Sequence, residues 1–132
     1  MYERSYAFTR KIEHATVSDA ISRARAALAA EGFGVLTEID VQATLKQKLG
    51  VDRPPYVILG ACNPGLAHRA LEAELAIGVF LPCNVTVFQG EDGATYVQAI
   101  KPEAMFGLIE ADAMQPIARE VGERLERAVA AI

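Results

Sequence analysis

The 132-residue sequence predicts an α+β domain, a two-layer sandwich of about five mainly antiparallel strands covered by helices, in the order βαβαβαββα. Three observations lead there. The opening stretch alternates in polarity as a half-buried strand does. Three later stretches repeat apolar residues at helical spacing, and all three stripes need one surface to cover. Finally, "NVTVFQG" and "TYVQAI", parted by the turn residues of "GEDGA", make a hairpin pattern. The length suits one domain over residues 1–132, large enough to bury a core without disulfide or metal staples.

Between Ser5 and His14, Tyr6, Phe8 and Ile12 fall on one side and Thr9, Lys11 and Glu13 on the other, which marks the first strand. Thr16 precedes a helix with Val17, Ile21, Ala24 and Leu28 on one stripe; Asp19 favours its N-terminus and Gly32 ends it in the left-handed conformation. "FGVLTEIDV" reads as the second strand. Asp40 then caps a short helix with the stripe Val41, Leu45 and Leu49, ending at Gly50. After Pro54 and Pro55, the apolar run "YVILGAC" reads as an interior strand. Asn63 is a helix cap and Pro64 a first helical residue, so a third helix is expected from there through Leu66, Ala70, Leu71 and Leu75 to about Gly78. The hairpin follows Pro82. "KPEAMFGLIEADAM" has no clear period. From Pro116 on, Ile117, Val121, Leu125, Ala128, Val129 and Ile132 describe a docked terminal helix.

The totals narrow the partners. A net charge of −4, a pI near 5.2 and no Lys/Arg run argue against nucleic acid, which calls for a basic stripe. The longest apolar stretch, Ala76 to Phe88, is interrupted and too short to cross a bilayer, so no membrane partner is expected. Charges interleave from the third residue with no apolar signal core, and cytoplasmic residence is the expectation. There, two cysteines remain reduced thiols. An apolar fraction of 52%, with Ile77, Val79, Phe80 and Leu81 in "AIGVFLP", leads us to expect a homodimer.

The blocks "GFGVLTEID" (32–40), "LGACNP" (59–64) and "LPCNV" (81–85) resemble those of the bacterial and archaeal family catalogued as domain of unknown function 302. The resemblance spans nearly the whole chain. It implies a small α+β domain that tends to pair as a homodimer, and it implies no established activity. The family's use of both cysteine blocks draws attention to the loops around Cys62 and Cys83. Gly65 departs from the commoner form, in which a bulkier residue follows the proline.

Cys62 stands at a strand end just before a helix N-terminus, where free N–H groups and the helix dipole favour an anion and can activate a thiol. The plainer account is a small buried residue closing a strand. A helix crossing back over the sheet, about 15 residues at 1.5 Å rise or roughly 22 Å long, puts Cys62 and Cys83 at opposite edges of the sheet, too far apart for a bridge. They meet only if that helix kinks, or across a dimer interface. The ligand-binding set is therefore Cys62, Asn63, Gly65, Leu66 and Arg69. The N–H groups of Gly65 and Leu66 face an anion, and Gly65 offers no side chain to block it. Cys62, His68 and Glu72 are candidates for a soft metal, although His68 and Glu72 four apart are equally a solvated helix face. No cofactor is named by the sequence. Gly32-Phe33-Gly34 follows a helix and precedes a strand, the reverse of a dinucleotide fingerprint.

Two functional classes follow from this set. The favoured one is a small-molecule, anion or soft-metal binding domain without turnover. The other is a thiol enzyme or redox protein with Cys62 as the reactive group and His68 as its base. A purely structural dimerisation module is the third account.

Overall fold

A computed structural model describes all residues 1–132. Five strands form one sheet in the order β1-β5-β4-β3-β2: β1 (Ala7–Ile12), β2 (Gly34–Asp40), β3 (Tyr56–Cys62), β4 (Cys83–Gln89) and β5 (Thr95–Ile100). Every neighbouring pair is antiparallel. The helices are α1 (Val17–Ala30), α2 (Val41–Leu49), α3 (Pro64–Ala73), α4 (Pro102–Phe106) and α5 (Met114–Ala130), with a 3₁₀ segment at Leu75–Phe80. The α+β class and the element order follow the sequence expectation.

Local chemistry sets the helix ends. Thr16 and Asp19 exchange bonds at the start of α1 as a capping box, and Gly32 follows the helix at φ +84°. Asp40 accepts from the Ala43 N–H at 2.9 Å to open α2, and Gly50 closes it in the left-handed region. Pro116 is tolerated because it lies in the first turn of α5, which begins two residues earlier than the sequence suggested.

One face of the sheet is closed by helices. Val57, Leu59 and Ala61 of β3, Cys83, Val85 and Val87 of β4, and Val97 and Ala99 of β5 are all buried on it. Against them pack Ala20, Ala24 and Leu28 of α1, Leu66 and Ala70 of α3, and Ile117, Val121 and Leu125 of α5. These are the stripes read from the sequence. The α5 helix also meets β1, where the Arg10 guanidinium donates to the carbonyls of Val129 and Ala130.

One expectation needs correction, and two stretches gain detail. The stripe of α2, outside the three that cover the sheet, holds no buried residue, and Leu49 is 70% exposed. The third helix stops at Ala73 instead of running to Gly78. Glu74 is extended (φ −153°, ψ 103°), and its carboxylate accepts from the Ala76 N–H to start the 3₁₀ segment. The illegible stretch after Lys101 contains α4, five residues opened by Pro102 at the first helical position.

Candidate functional site

The end of β3 is built as the sequence suggested, and one of the two N–H groups there is already used by the cap. Asn63 Oδ1 accepts from the Leu66 N–H at 3.2 Å, so that donor is already satisfied and does not await an anion. Its amide nitrogen donates to the Glu31 carbonyl at 3.4 Å, which ties α3 to the end of α1. His68 and Glu72 sit 3.3 Å apart with 74% and 70% of their side chains exposed, on the solvent face of α3. Arg69 reaches Glu120 of α5 at 3.5 Å. Nowhere do three His, Cys, Asp or Glu side chains converge as a metal cage would require, so Cys62, His68 and Glu72 are not brought together.

The two cysteines are closer than the crossing-helix argument allowed. Because α3 ends early and the chain turns back through the 3₁₀ segment, β4 returns antiparallel to β3, and Ala61 pairs with Cys83. Cys62 and Cys83 therefore lie at one end of the sheet on neighbouring strands. Their positions alternate in parity: Cys83 shares a face with Ala61, and Cys62 is one residue on. Both are free thiols. Burial, and then the nearby Cys62, push the Cys83 thiol from an ordinary 9.0 up to about 11. The cavity they share with Leu66, Phe106 and Val121 measures about 30 Å³ and is almost wholly apolar. That is room for about one water, without the polar partners a water wants.

The other face of the sheet carries a second site, one that reading along the chain missed. Tyr56 pairs with Phe88, and Phe88 with Tyr96, on three successive strands. Their rings form a near-parallel row, with centroids 5.1 and 5.7 Å apart and planes tilted by 12° and 18°. Tyr2 lies edge-on over Phe88 and Tyr96. It is held there because its hydroxyl accepts from the Glu91 N–H at 2.8 Å and its carbonyl accepts from the Gln98 amide at 2.7 Å. Tyr96 donates to Asp92 at 2.5 Å. That bond, with burial added, raises the phenol to about 12, and the same bond leads the causes that lower the Asp92 carboxyl.

Beside this row is an open groove of about 470 Å³, walled by Tyr2, Arg4, Tyr6, Arg53, Tyr56 and Gln98 with Phe88 beneath. Two larger surface grooves, about 610 and 630 Å³, flank β1 and α5. Their walls are mixed charges with Phe8 as the one aromatic ring. Of the three, only the aromatic groove sets several rings, Tyr2, Tyr6, Tyr56 and Phe88, beside polar groups. Its signal in the sequence is the matched parity of Tyr56, Phe88 and Tyr96 once the strands are paired, which no reading along the chain supplies.

A five-stranded antiparallel sheet with helices on one face and an aromatic groove on the other defines a two-layer α+β domain. The chain belongs to the family described as Domain of unknown function DUF302, whose model matches residues 8–132. It is similar to the crystal structure of an uncharacterized conserved protein DUF302 from Bacillus stearothermophilus, with 34% identity and a TM-score of 0.88. That likeness covers 96% of this chain and 98% of the other. Among curated proteins, none matches.

Proposed function

We propose that this domain binds a small molecule without covalent turnover, and that the molecule sits in the aromatic groove on the helix-free face of the sheet. The observation that carries the reading is the stacked row Tyr96, Phe88 and Tyr56, set by strand register, whose Tyr56 end opens into a groove bordered by Arg53, Arg4 and Gln98. The row is rigid because each ring rises from a paired strand residue, and a preformed surface lowers the ordering cost of binding.

The junction at Cys62, Asn63 and Pro64 is the weaker seat. Asn63 already caps the helix, and the adjacent cavity is apolar and the size of one water. A thiol enzyme there needs a base beside Cys62, and His68 faces solvent with Glu72 as its partner. Of the four residues that suggested self-association, Ile77 is buried and Phe80 and Leu81 pack half-buried on the core, so the support comes from Val79 and its neighbour Leu75, 87% and 82% exposed. A homodimer covering them gives a light-scattering mass twice 14.2 kDa, and a mass of 14.2 kDa at micromolar concentration refutes it. Cytoplasmic residence fits two free thiols, one of them half-buried.

The test is amide NMR of the labelled full chain against a fragment mixture, with zinc and copper(I) added separately. Shifts at Tyr2, Tyr56, Phe88 and Gln98 are the expected result. Shifts confined to Ala61–Arg69 return the site to the junction. If neither region responds, the binding reading gives way to a structural one.

A further inference from the structure

We infer that the ligand of this groove is an aromatic anion: a planar ring joined to a phosphate or carboxylate group. The inference rests on the open-face reading above and adds the chemistry of what is bound.

The ring half of the argument comes from how the row ends. At the Tyr96 end it is closed, since Tyr2 roofs Tyr96 and Asp92 holds its hydroxyl. At the other end Tyr56 is half-buried, and the Arg53 guanidinium lies 5.2 Å from its ring centroid. With Phe88 stacked against it and the guanidinium over its ring, Tyr56 holds Arg53 as the last layer of the row, and a guanidinium plane fixed on an aromatic ring favours stacking of a flat, π-bearing ligand over an aliphatic one. The Gln98 amide nitrogen already donates to the Tyr2 carbonyl and to Thr9. What Gln98 has left is its carbonyl oxygen, which suits a ring N–H.

The anion half comes from charge. The groove walls carry Arg4 and Arg53 against Glu91, a local excess of one positive charge in a chain of net charge −4. Arg25, Arg69, Arg124 and Arg127 each hold a glutamate. Arg4 and Arg53 instead donate only to nearby carbonyls, those of Met1, Glu3 and Pro54. A guanidinium has five N–H donors in a fork shaped for carboxylate or phosphate, so both retain capacity for a bidentate partner. Two cations suit one anionic group. A nucleic-acid strand calls for a longer basic track than this acidic chain supplies. The groove volume falls within the range of small-molecule sites.

The test titrates the labelled full chain with four probes, read by amide shifts at Tyr2, Tyr56, Phe88 and Gln98. Adenosine 5′-monophosphate and indole-3-acetate carry ring and anion, adenosine carries the ring alone, and ribose 5-phosphate carries the anion alone. At least one of the first two binds about tenfold or more tightly than either half-probe, which corresponds to about 1.4 kcal/mol. Which of the two binds more tightly tells phosphate from carboxylate. Arg53→Gln and Arg4→Gln each weaken the charged probe several-fold, and each weakens it by a larger factor than it weakens adenosine. Adenosine binding as tightly as its monophosphate overturns the anion, and ribose 5-phosphate doing so overturns the ring; in both cases the groove still stands as a site. Silence with all four probes overturns the ligand class, and the open-face reading falls with it only if the fragment mixture is silent there too.

Discussion

The two faces of this sheet are made from alternate residues of the same strands, yet they are finished in opposite ways. On the helix side Leu59, Val85, Val87 and Val97 are at most 1% exposed and sealed by α1, α3 and α5. On the other side Phe88 and Tyr96 are buried beneath Tyr2, while Tyr56, Ile58, Thr86 and Gln98 are only half-buried, and the cover is one N-terminal tyrosine and its hydrogen bonds. The Thr86 hydroxyl is even left buried without a partner. A face built for stability uses up its surface, whereas this second face keeps polar groups and one accessible end of its ring row in reserve. That contrast directs attention to the open side rather than to the cysteine loops.

The sharpest way to break the comparison is to truncate neighbours that face opposite ways. Leu59→Ala leaves a cavity in the sealed layer and is expected to lower stability by about 2–5 kcal/mol. Ile58→Ala, one residue away on the open face, costs less than half as much, as urea unfolding of both variants will show. Equal losses mean the open face is as tightly packed as the closed one.

Cys83 measures how dry the sealed side is. Its thiol is raised from 9.0 to about 11 in the folded chain, so the stabilising effect of keeping it neutral is complete below pH 9. As pH rises from about 9 to 11 the unfolded thiol ionises first, and about 2–3 kcal/mol is lost over that window. Tyr96, raised to about 12, adds a loss of the same sign at higher pH. Cys83→Ala therefore flattens the pH 9–11 part of the stability profile and leaves the later part. At neutral pH a small alkylating reagent modifies half-buried Cys62 well before Cys83. Equal rates contradict the burial.

Tyr2→Ala uncovers the open face. Losing two edge-to-face contacts and the bond from the Glu91 N–H is expected to cost about 1–2 kcal/mol. Fluorescence of the remaining tyrosines shifts while the helix signal holds. If the helices melt as well, the two faces are coupled rather than separate. The smallest effect belongs to Asn63→Ala at the boundary between them, about 1 kcal/mol from the lost cap. A ligand titration of that variant identical to wild type confirms that Asn63 is a cap and no more.

The sequence was most legible where periodicity acts on its own. The stripes of α1 and α5, the caps Asp40 and Asn63, and the β4–β5 hairpin are all local patterns, and each is found where expected. The break at Glu74 was not legible because Leu71, Leu75 and Gly78 continue the helical rhythm beyond it. The return of β4, and with it the closeness of Cys62 and Cys83, depends on that break. The stripe of α2 is real but shallow: Val41 and Leu45 are half-buried beside β3 and none of its residues enters the core. The groove was invisible because it joins Tyr2, Arg4, Arg53, Tyr56, Phe88 and Gln98 from segments that only strand register brings together.

Leu36 is a surplus residue between Val35, which pairs with Ala61, and Thr37, which pairs with Gly60. It makes a bulge in β2, the strand at one border of the sheet, and stands 67% exposed. Without it, seven residues from Gly34 to Asp40 would offer a neighbouring chain an unbroken rail of amide and carbonyl groups. With it, the rail is interrupted two residues from its start, and only Thr37 to Asp40 keep an even register. A short, kinked border of this kind resists strand-by-strand growth into fibrils. That protection matters for a chain whose neighbouring strands, "YVILGAC" and "NVTVF", would template such growth if they ever came to the edge.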